Sequence, residues 1–294
     1  RIGERKMKKS KLAKVLTVSL AALMVFGLAS CGGGSGKVSD KDITVISREE
    51  GSGTRDAFTE LTGVLQDDVD KTVDTAEISN STSVVTQSVA GNDAAIGYIS
   101  LGSLDDTVKA VKVDGVEATV DNIKSGDYKI QRPFNIVTKG EVKELPADFI
   151  KFIMSKDGQK IIEDEGYISV NDNAEAYKAS GLKGSITLAG STSVSPVMEV
   201  LADKYKELNS GVTIEIQQTG SGAGIQSTTE GVCDIGMASR ELKDEETSQG
   251  LKSEEIALDG IAVIVNKDNG VEDLSMDQIM KIFTGEITNW ADVK

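Results

Sequence analysis

Three short segments rich in glycine, serine and threonine hold the residue types that could bind a small anion. They are REEGSGT at residues 48–54, GSTSVS at residues 190–195 and QTGSGAG at residues 218–224. Each follows an apolar, strand-like run and opens a helical pattern, so its N–H groups lie at a helix N-terminus, where the helix dipole is positive. One such segment is typical of a plain turn, but three together predict a site for a small oxyanion.

Two arginines adjoin these segments and carry the positive charge that favours an oxyanion. Arg48 begins the first segment, and Arg240 ends CDIGMASR, which reads as a buried strand followed by Ser239. A guanidinium group can donate to two oxygens of one oxyanion. The alternative for each arginine is a surface ion pair, with Glu49 or with Glu241. We favour anion binding because both arginines stand beside apolar strands and glycine-rich loops.

The composition of the 294 residues excludes several classes of function. Histidine is absent, which rules out Ser-His-Asp triads, histidine-bound metals and imidazole acid–base catalysis. The net charge of −15 argues against a nucleic-acid-binding protein, which normally carries a basic face. Neither GxxxxGKS/T nor a GxGxxG that opens a dinucleotide unit occurs, so nucleotide binding is disfavoured. We expect no cofactor and no metal ion, and an enzyme such as a phosphatase is disfavoured because Ser52 has no evident base.

The elements that must position these residues alternate between strand and helix along the chain. The strand-like runs that precede the three segments are ITVIS at residues 43–47, SITLA at residues 185–189 and VTIEIQ at residues 212–217. We predict helices from about Arg55, with Gly63 as the stop, and from Pro196 at a first helical position. This alternation indicates an α/β fold with largely parallel strands. In such a sheet the loops gather at the carboxyl ends of the strands, where ligands bind.

The first thirty residues read as an export signal. A basic stretch at residues 7–14 precedes an apolar run at residues 15–27, which is too short for a membrane span of about 20 residues. Leu-Ala-Ser before Cys31 resembles a bacterial lipoprotein signal. We therefore predict a lipidated Cys31, a tether over residues 31–41, and a protein anchored to the outer face of the cytoplasmic membrane. An uncleaved anchor is the alternative. Beyond residue 30, the 25 basic and 46 acidic residues leave a net charge of −21.

Seven longer motifs cover nearly the whole chain beyond the tether. They are AGSTSVSPVMEVLADKY, TGSGAGIQ, CDIGMASRELK, DGIAVIVNKDN, IFTGEITNW, SREEGSGTRDAF and AIGYISLGSL. Together they resemble the motifs of the phosphate-binding lipoproteins that supply bacterial phosphate ABC importers. The resemblance implies a two-lobed, periplasmic-binding-protein-like α/β fold of type 2, with two mixed sheets flanked by helices and a hinge. It also implies a monomer that binds inorganic phosphate between the lobes and delivers it to the importer's membrane permease subunits. A receptor for another tetrahedral oxyanion, such as sulfate or molybdate, is the alternative.

The order of the two halves differs from that family. Residues 184–294 resemble the family's first half, and residues 42–180 resemble its second half. Either the chain is a circular permutant, or a second-half module precedes a receptor whose end is missing. We favour the permutant because each half is present once. The run IAVIVN then resembles one strand that crosses between the lobes. The implied lobes are lobe one, residues 99–262, and lobe two, residues 42–98 plus 263–294.

Residue by residue, the resemblance implies which groups bind phosphate. The implied ligands are Arg48, Ser52, Gly53, Thr54, Thr192, Ser193, Ser221, Ser239 and Arg240. Glu50 stands where the family often has an acid that buttresses the arginine. Some members have an aspartate where this chain has Arg240, and that aspartate accepts the phosphate proton. Glu50 and Asp56 are the two candidates to take over this role, and the sequence does not choose between them.

Overall fold

The computed structural model describes residues 40–293. The strands in chain order are β1 (Thr44–Arg48), β2 (Leu65–Gln66), β3 (Val69–Asp70), β4 (Glu77–Ser79), β5 (Ala95–Ser100), β6 (Val108–Ala110), β7 (Lys112–Val113), β8 (Gln131–Lys139), β9 (Ile168–Ser169), β10 (Gly184–Gly190), β11 (Val212–Gln218), β12 (Ile235–Ala238), β13 (Leu251–Asn266) and β14 (Asp273–Leu274). The helices are α1 (Gly53–Thr62), α2 (Thr82–Gly91), α3 (Val120–Lys124), α4 (Glu144–Ile153), α5 (Lys156–Asp164), α6 (Ser195–Leu208), α7 (Ser221–Glu230), α8 (Asp244–Thr247) and α9 (Met276–Phe283). Among the helices of this part of the chain, none combines the length and the apolar character that a bilayer-spanning segment requires. The predicted export signal and Cys31 lie outside the described residues.

Strand β13 joins most of the strands into one mixed sheet. The order across the sheet is β11-β10-β12-β8-β13-β5-β1-β4, and β6 and β9 also pair with β13. The strands β10, β11 and β12 are parallel to one another, as are β1, β4 and β5, whereas β8 and β5 run antiparallel to β13. The predicted α/β fold with mixed sheets is confirmed. The run IAVIVN forms the end of the 16-residue β13, so the two expected sheets form a continuous ladder through this strand.

Apolar side chains form a separate core at each half of β13. Beside the first half, Phe149 and Tyr205 pack with the apolar faces of α4, α5 and α6. Beside the second half, Phe58 stacks on Tyr98 with ring centroids 3.9 Å apart, and Phe283 of α9 packs edge-on against Phe58. Both cores share β13, so this strand is the element that connects them.

The chain between β5 and β8 packs with the core that contains Phe58. Val113 and Tyr128 belong to this core, and β6 pairs with the end of β13 while β7 pairs with β14. The predicted lobe one, residues 99–262, included this segment, so its first boundary does not match the packing. The reason is that pairing with β13 and β14 joins segments more than a hundred residues apart, which local sequence does not encode. The division into two lobes itself stays a prediction.

Capping residues set the boundaries of α1 and α9. The Ser52 side chain accepts a hydrogen bond from the Arg55 backbone N–H, and Gly63 ends α1 with a φ of 75° in the left-handed region. The predicted stop at Gly63 is therefore confirmed, although α1 begins two residues before the predicted Arg55 because Ser52 is its cap. A capping box of Ser275 and Gln278 opens α9.

The two ends of the described chain meet in space. The backbone N–H of Ile43 donates to the carbonyl of Thr288 (2.7 Å), and the N–H of Trp290 donates to the carbonyl of Lys41 (3.0 Å). These segments are the ones that would be continuous in the family's order of halves. Their contact is what the predicted circular permutation requires, and the permutation itself stays a prediction.

Candidate functional site

Seven buried hydroxyl groups from five segments of the chain meet at one place, which we call the hydroxyl cluster. Two of them belong to α1 and α2, and the others follow β10 and β12 or open α7. The members, each at most 5% exposed, are Thr54, Thr82, Ser191, Thr192, Ser193, Ser221 and Ser239.

Helices α1 and α2 contact the loop after β10 through hydroxyl pairs. Thr54 Oγ1 lies 2.9 Å from Ser193 Oγ. Thr82 Oγ1 lies 3.2 Å from Thr192 Oγ1 and 3.2 Å from Ser193 Oγ. Helices α1 and α2 pack on apolar clusters beside the second half of β13, and β10 packs on the core beside its first half, so these hydrogen bonds join residues from the two ends of β13.

Gly53 closes the cluster from the side of α1. Ser239 Oγ accepts a hydrogen bond from Ser191 Oγ (3.0 Å) and lies 3.3 Å from Ser221 Oγ. A Cβ at Gly53 would lie 2.5 Å from Ser221 Oγ and 2.7 Å from Ser239 Oγ, so a larger side chain would displace both hydroxyls. The three glycine- and serine-rich segments of the sequence therefore meet in one site.

Arg48 brings a buried guanidinium group to the hydroxyl cluster. The residue is 2% exposed. Its Nε and Nη2 donate to the two carboxylate oxygens of Glu49, each at 2.8 Å. Its Nη1 donates to Thr82 Oγ1 at 3.4 Å. The guanidinium group turns one edge to a carboxylate and its remaining nitrogen to the hydroxyls, where that nitrogen can also donate to an anion.

The acid that buttresses Arg48 is Glu49, so the prediction of Glu50 for this role is wrong. The Ser52 N–H donates to the Glu49 carbonyl (3.2 Å) and closes a turn in which Gly51 has a φ of 81°. Glu50 occupies the outer corner of this turn and is exposed. Glu49 precedes the corner, and its carboxylate lies against Arg48.

Carboxylates hold the side chain of Arg240. Its Nε donates to Asp56 Oδ2 (2.9 Å), and its Nη1 and Nη2 donate to the two oxygens of Glu246 (2.8 and 2.7 Å). Burial is the largest single influence and opposes the charge on Glu246, but the hydrogen bonds from Arg240 and the Lys243 backbone N–H, together with the attraction of these two positive charges, lower the pKa of the Glu246 carboxyl. The described hydrogen bonds of Arg240 lead away from the hydroxyl cluster, which does not support its predicted role as a ligand. Asp56 likewise binds Arg240 instead of standing free to accept a proton.

The predicted ligands therefore divide into two groups. The hydroxyl of Ser52 caps α1, and Arg240 pairs with acids, so neither side chain is shown to face the cluster. The predicted residues that the structure brings together are Arg48, Gly53, Thr54, Thr192, Ser193, Ser221 and Ser239.

Sequence reasoning missed two hydroxyls and one acid of this region, and it named Glu49 only as a surface partner of Arg48. Thr82 and Ser191 belong to the cluster, and Glu49 and Glu246 hold the two arginines. A signal for Thr82 was present, because Ser81 precedes a helical pattern in the way typical of an N-cap, and its side chain accepts a hydrogen bond from the third residue of α2. Glu246, the partner of Arg240, had no comparable signal, whereas Glu49 directly follows Arg48 in the sequence.

A buried ion pair supports the cluster from the central strands. Arg132 of β8 donates to Asp259 Oδ2 of β13 through Nε and Nη2 (3.2 and 3.1 Å), and Ser100 Oγ donates to Oδ1 (2.8 Å). Burial raises the pKa of Asp259 to about 6, against the opposing effect of Arg132. The Nη1 of Arg132 also donates to the carbonyl of Ser239 (3.4 Å). The loop after β12 is in this way attached to the strand that both cores share.

An open cleft of about 570 Å³ adjoins the hydroxyl cluster. Thr82 and Thr192 line it together with polar side chains such as Gln87 and Gln218. A larger cavity of about 700 Å³ lies beside α5. We associate function with the smaller cleft because buried hydroxyl groups next to Arg48 line it. A larger volume alone does not indicate a binding site.

Comparison with known proteins identifies the family. A family model described as a PBP superfamily domain matches residues 30–157 and 175–294. Phosphate-binding protein PstS 2 of Streptococcus agalactiae is 52% identical over 294 residues, which cover 98% of this chain and 99% of that protein. The chain belongs to the PstS family within the PBP superfamily. This membership confirms the resemblance that the motifs indicated.

Two further matches concern the fold and the order of the halves. The crystal structure of a phosphate-binding protein of a phosphate ABC transporter from Streptococcus pneumoniae TIGR4 is similar, with a TM-score of 0.71 and 49% identity, over 86% of this chain and 100% of that one. The PstS of Bacillus subtilis is 38% identical over 127 residues, which are 42% of each chain. The long match to the S. agalactiae protein runs in a single direction, so that relative has its segments in the same order as this chain.

Proposed function

We propose that this protein binds inorganic phosphate at the hydroxyl cluster and delivers it to an ABC importer. One observation carries the proposal: Arg48 and hydroxyls from both cores meet in a single buried place, where they can surround a small oxyanion. The helices α1 and α7 begin at this place and add N–H donors and the positive ends of their dipoles. The names of the relatives, which are phosphate-binding proteins, support the same ligand.

The proposed ligands are those predicted residues that come together, and hydroxyls are the proposed acceptors of the phosphate proton. A hydroxyl group can donate to one phosphate oxygen or accept a hydrogen bond from a protonated one. The carboxylates of Glu49 and Asp56 already bind arginines. A site whose acceptors are hydroxyls penalises sulfate less than a site with a free carboxylate, because a hydroxyl can turn and donate to it.

Calorimetric titration tests the proposal. We expect phosphate to bind with a Kd of about 1 μM or tighter, which corresponds to about −8 kcal/mol. Phosphate should also raise the thermal unfolding midpoint, because it binds the folded chain only. Replacing Arg48→Ala should weaken binding by about 2 kcal/mol, since it removes a charged donor from a buried site.

Three results would contradict this assignment in different ways. Absence of heat and of stabilisation with phosphate would remove the ligand. Tighter binding of sulfate or molybdate would favour the alternative oxyanion receptor. Release of product from a generic phosphomonoester would show an enzyme, whereas we propose a binding protein without catalytic activity.

We also propose that the protein is a monomer exported and anchored to the outer face of the cytoplasmic membrane through a lipidated Cys31, where importer permease subunits receive its phosphate. The signal-like sequence before Cys31 supports the anchor. In an exporting host, the Cys31→Ser variant should move from the membrane fraction to the soluble exported fraction, with the wild-type chain as the control. Retention of that variant at the membrane would favour the uncleaved anchor.

The permuted order of the halves is a further part of the proposal. The partial match to the Bacillus subtilis protein, which covers less than half of each chain, is what a different order of halves would produce. The contact between the two ends of the described chain supports it as well, because the family's order would join them there.

A further inference from the structure

We infer that Thr82 is a further ligand of the bound anion, supplied by α2 and not among the residues that the family motifs indicate. The inference rests on the proposed phosphate site and adds a contact from a fifth segment of the chain. Its basis is the position of the Thr82 hydroxyl. This hydroxyl contacts Arg48 and, on the opposite side of the site, the hydroxyls of Thr192 and Ser193.

The nitrogen of Arg48 that does not bind Glu49 determines where an anion can lie. Glu49 occupies Nε and Nη2, and Nη1 points to Thr82 Oγ1 at 3.4 Å. An oxyanion that accepts from the Nη1 hydrogen now directed at Thr82 Oγ1 lies next to the same hydroxyl. Arg48 therefore places the anion next to Thr82.

The hydroxyls on the other side of the site lie at the same place. Thr82 Oγ1 is 3.2 Å from both Thr192 Oγ1 and Ser193 Oγ, which belong to the loop after β10. An oxygen atom that contacts these two hydroxyls is also within hydrogen-bond range of Thr82. The side chain is 5% exposed, so its hydrogen bonds are made in a largely dry environment, where losing one is costly.

Thr82 has a second role in recognition because it also lines the cleft. Thr82 and Thr192 both line the cleft, so an anion in the cleft can contact these hydroxyls. Because a hydroxyl is both donor and acceptor, Thr82 can bind a phosphate oxygen with or without its proton. We therefore expect Thr82 to bind singly and doubly ionised phosphate with similar strength, below and above the second pKa of phosphate near neutral pH.

Replacing Thr82→Val tests the inference, because valine keeps the branched shape and removes the hydroxyl. We expect phosphate affinity to fall at least about 10-fold in calorimetric titration. Thr82→Ser, which keeps a hydroxyl, should stay within about 3-fold of the wild-type affinity. Thr86→Val is the matched control: Thr86 is buried one turn along the same helix, and its hydroxyl donates to the Thr82 carbonyl (3.3 Å). That variant should bind phosphate like the wild type.

The outcomes separate this inference from the proposed function. If the wild-type chain binds phosphate and Thr82→Val binds it equally well, the inference is overturned while the phosphate site stands. If the wild-type chain does not bind phosphate, both are overturned. Should Thr82→Val fail to fold, a crystal structure of the wild-type protein with phosphate decides. Thr82 Oγ1 within about 3.2 Å of a phosphate oxygen supports the inference, and a distance beyond about 3.5 Å overturns it.

Discussion

Arg48 combines a buried positive charge with a neighbouring carboxylate. Glu49 binds two of its nitrogens, so the pair is close to neutral, and the attraction of an anion depends on Nη1, the hydroxyls and the N–H groups of the helix starts. Removing one partner of a buried ion pair leaves the other uncompensated, and that loss is larger than the net value of the pair. The structure thereby distinguishes two adjacent glutamates that the sequence could not.

Glu49→Gln and its neighbour Glu50→Gln form a matched pair of variants. Without phosphate, Glu49→Gln should lower the free energy of unfolding by about 1–3 kcal/mol, because Arg48 loses its charged acceptor. Glu50→Gln should stay within about 0.5 kcal/mol of the wild type, since its side chain is exposed. Urea unfolding measures both values. Equal effects of the two substitutions would show that Glu49 does not buttress Arg48.

At the scale of the elements, an ion-pair network connects α1 with the loop after β12. Arg240 binds Asp56 of α1 on one side and Glu246 of α8 on the other. The backbone N–H of Gly222 in α7 also donates to the carbonyl of Gly51 just before α1 (2.9 Å). These contacts hold elements of the two cores together beside the hydroxyl cluster, so their strength should influence how far the site can open.

The lowered pKa of Glu246 predicts a dependence of stability on pH. Its ionised form stabilises the fold above the ordinary value of 4.5, and this contribution is lost as the pH falls through the lower value of the folded state. Glu246→Gln should therefore cost about 1–2 kcal/mol of unfolding free energy at pH 7, and the cost should shrink as the pH falls below 4.

Urea unfolding at several pH values measures this difference, and Glu245→Gln is the control because Glu245 is exposed next to Glu246 on the same short helix. The control variant should follow the wild type at every pH. A deficit of Glu246→Gln that is independent of pH would mean that the network does not depend on its charge.

At the scale of the whole molecule, the proposed permutation requires that the two ends of the folded chain lie close together. The ends of the described chain form backbone hydrogen bonds with each other. Residues 176–183, which connect the halves in this chain, form no helix or strand and are mostly exposed. Cutting such a connection and joining adjacent ends changes few contacts of the folded state.

A rearranged chain tests this account. It begins at Gly184, continues from Val293 through a linker of about 4 residues to Asp42, and ends at Leu182. We expect it to fold and to bind phosphate within about 3-fold of the original chain, because the core and the site are unchanged. A control with the same linker, but cut inside α6 after Ala202, should not fold. Loss of phosphate binding in the first chain, with its fold retained, would show that the site depends on the order of the halves.

Much of the fold and part of the site could be predicted because their signals are local. The stop of α1 at Gly63 and the capping box of α9 depend on residues within a few positions of one another. The glycine- and serine-rich segments could be recognised for the same reason, and the family motifs indicated most members of the hydroxyl cluster. The acid that buttresses Arg48 was wrongly predicted as Glu50, because the turn at residues 49–52 decides which of the two adjacent glutamates faces the arginine. The packing of residues 99–130 was missed because it depends on pairing with β13 and β14.

The sequence alone determines the α/β class, the family and the chemistry of an oxyanion site without histidine. Residue types and short-range spacing encode all three. The tertiary structure alone shows that Thr82 joins the cluster, that Glu49 neutralises Arg48 and that Arg240 serves an ion-pair network. The physical reason is distance along the chain: Thr82 and Ser193 are 111 residues apart, and Asp56 and Arg240 are 184 residues apart. Such contacts exist only after the sheet has brought its helices together, and no local pattern specifies them.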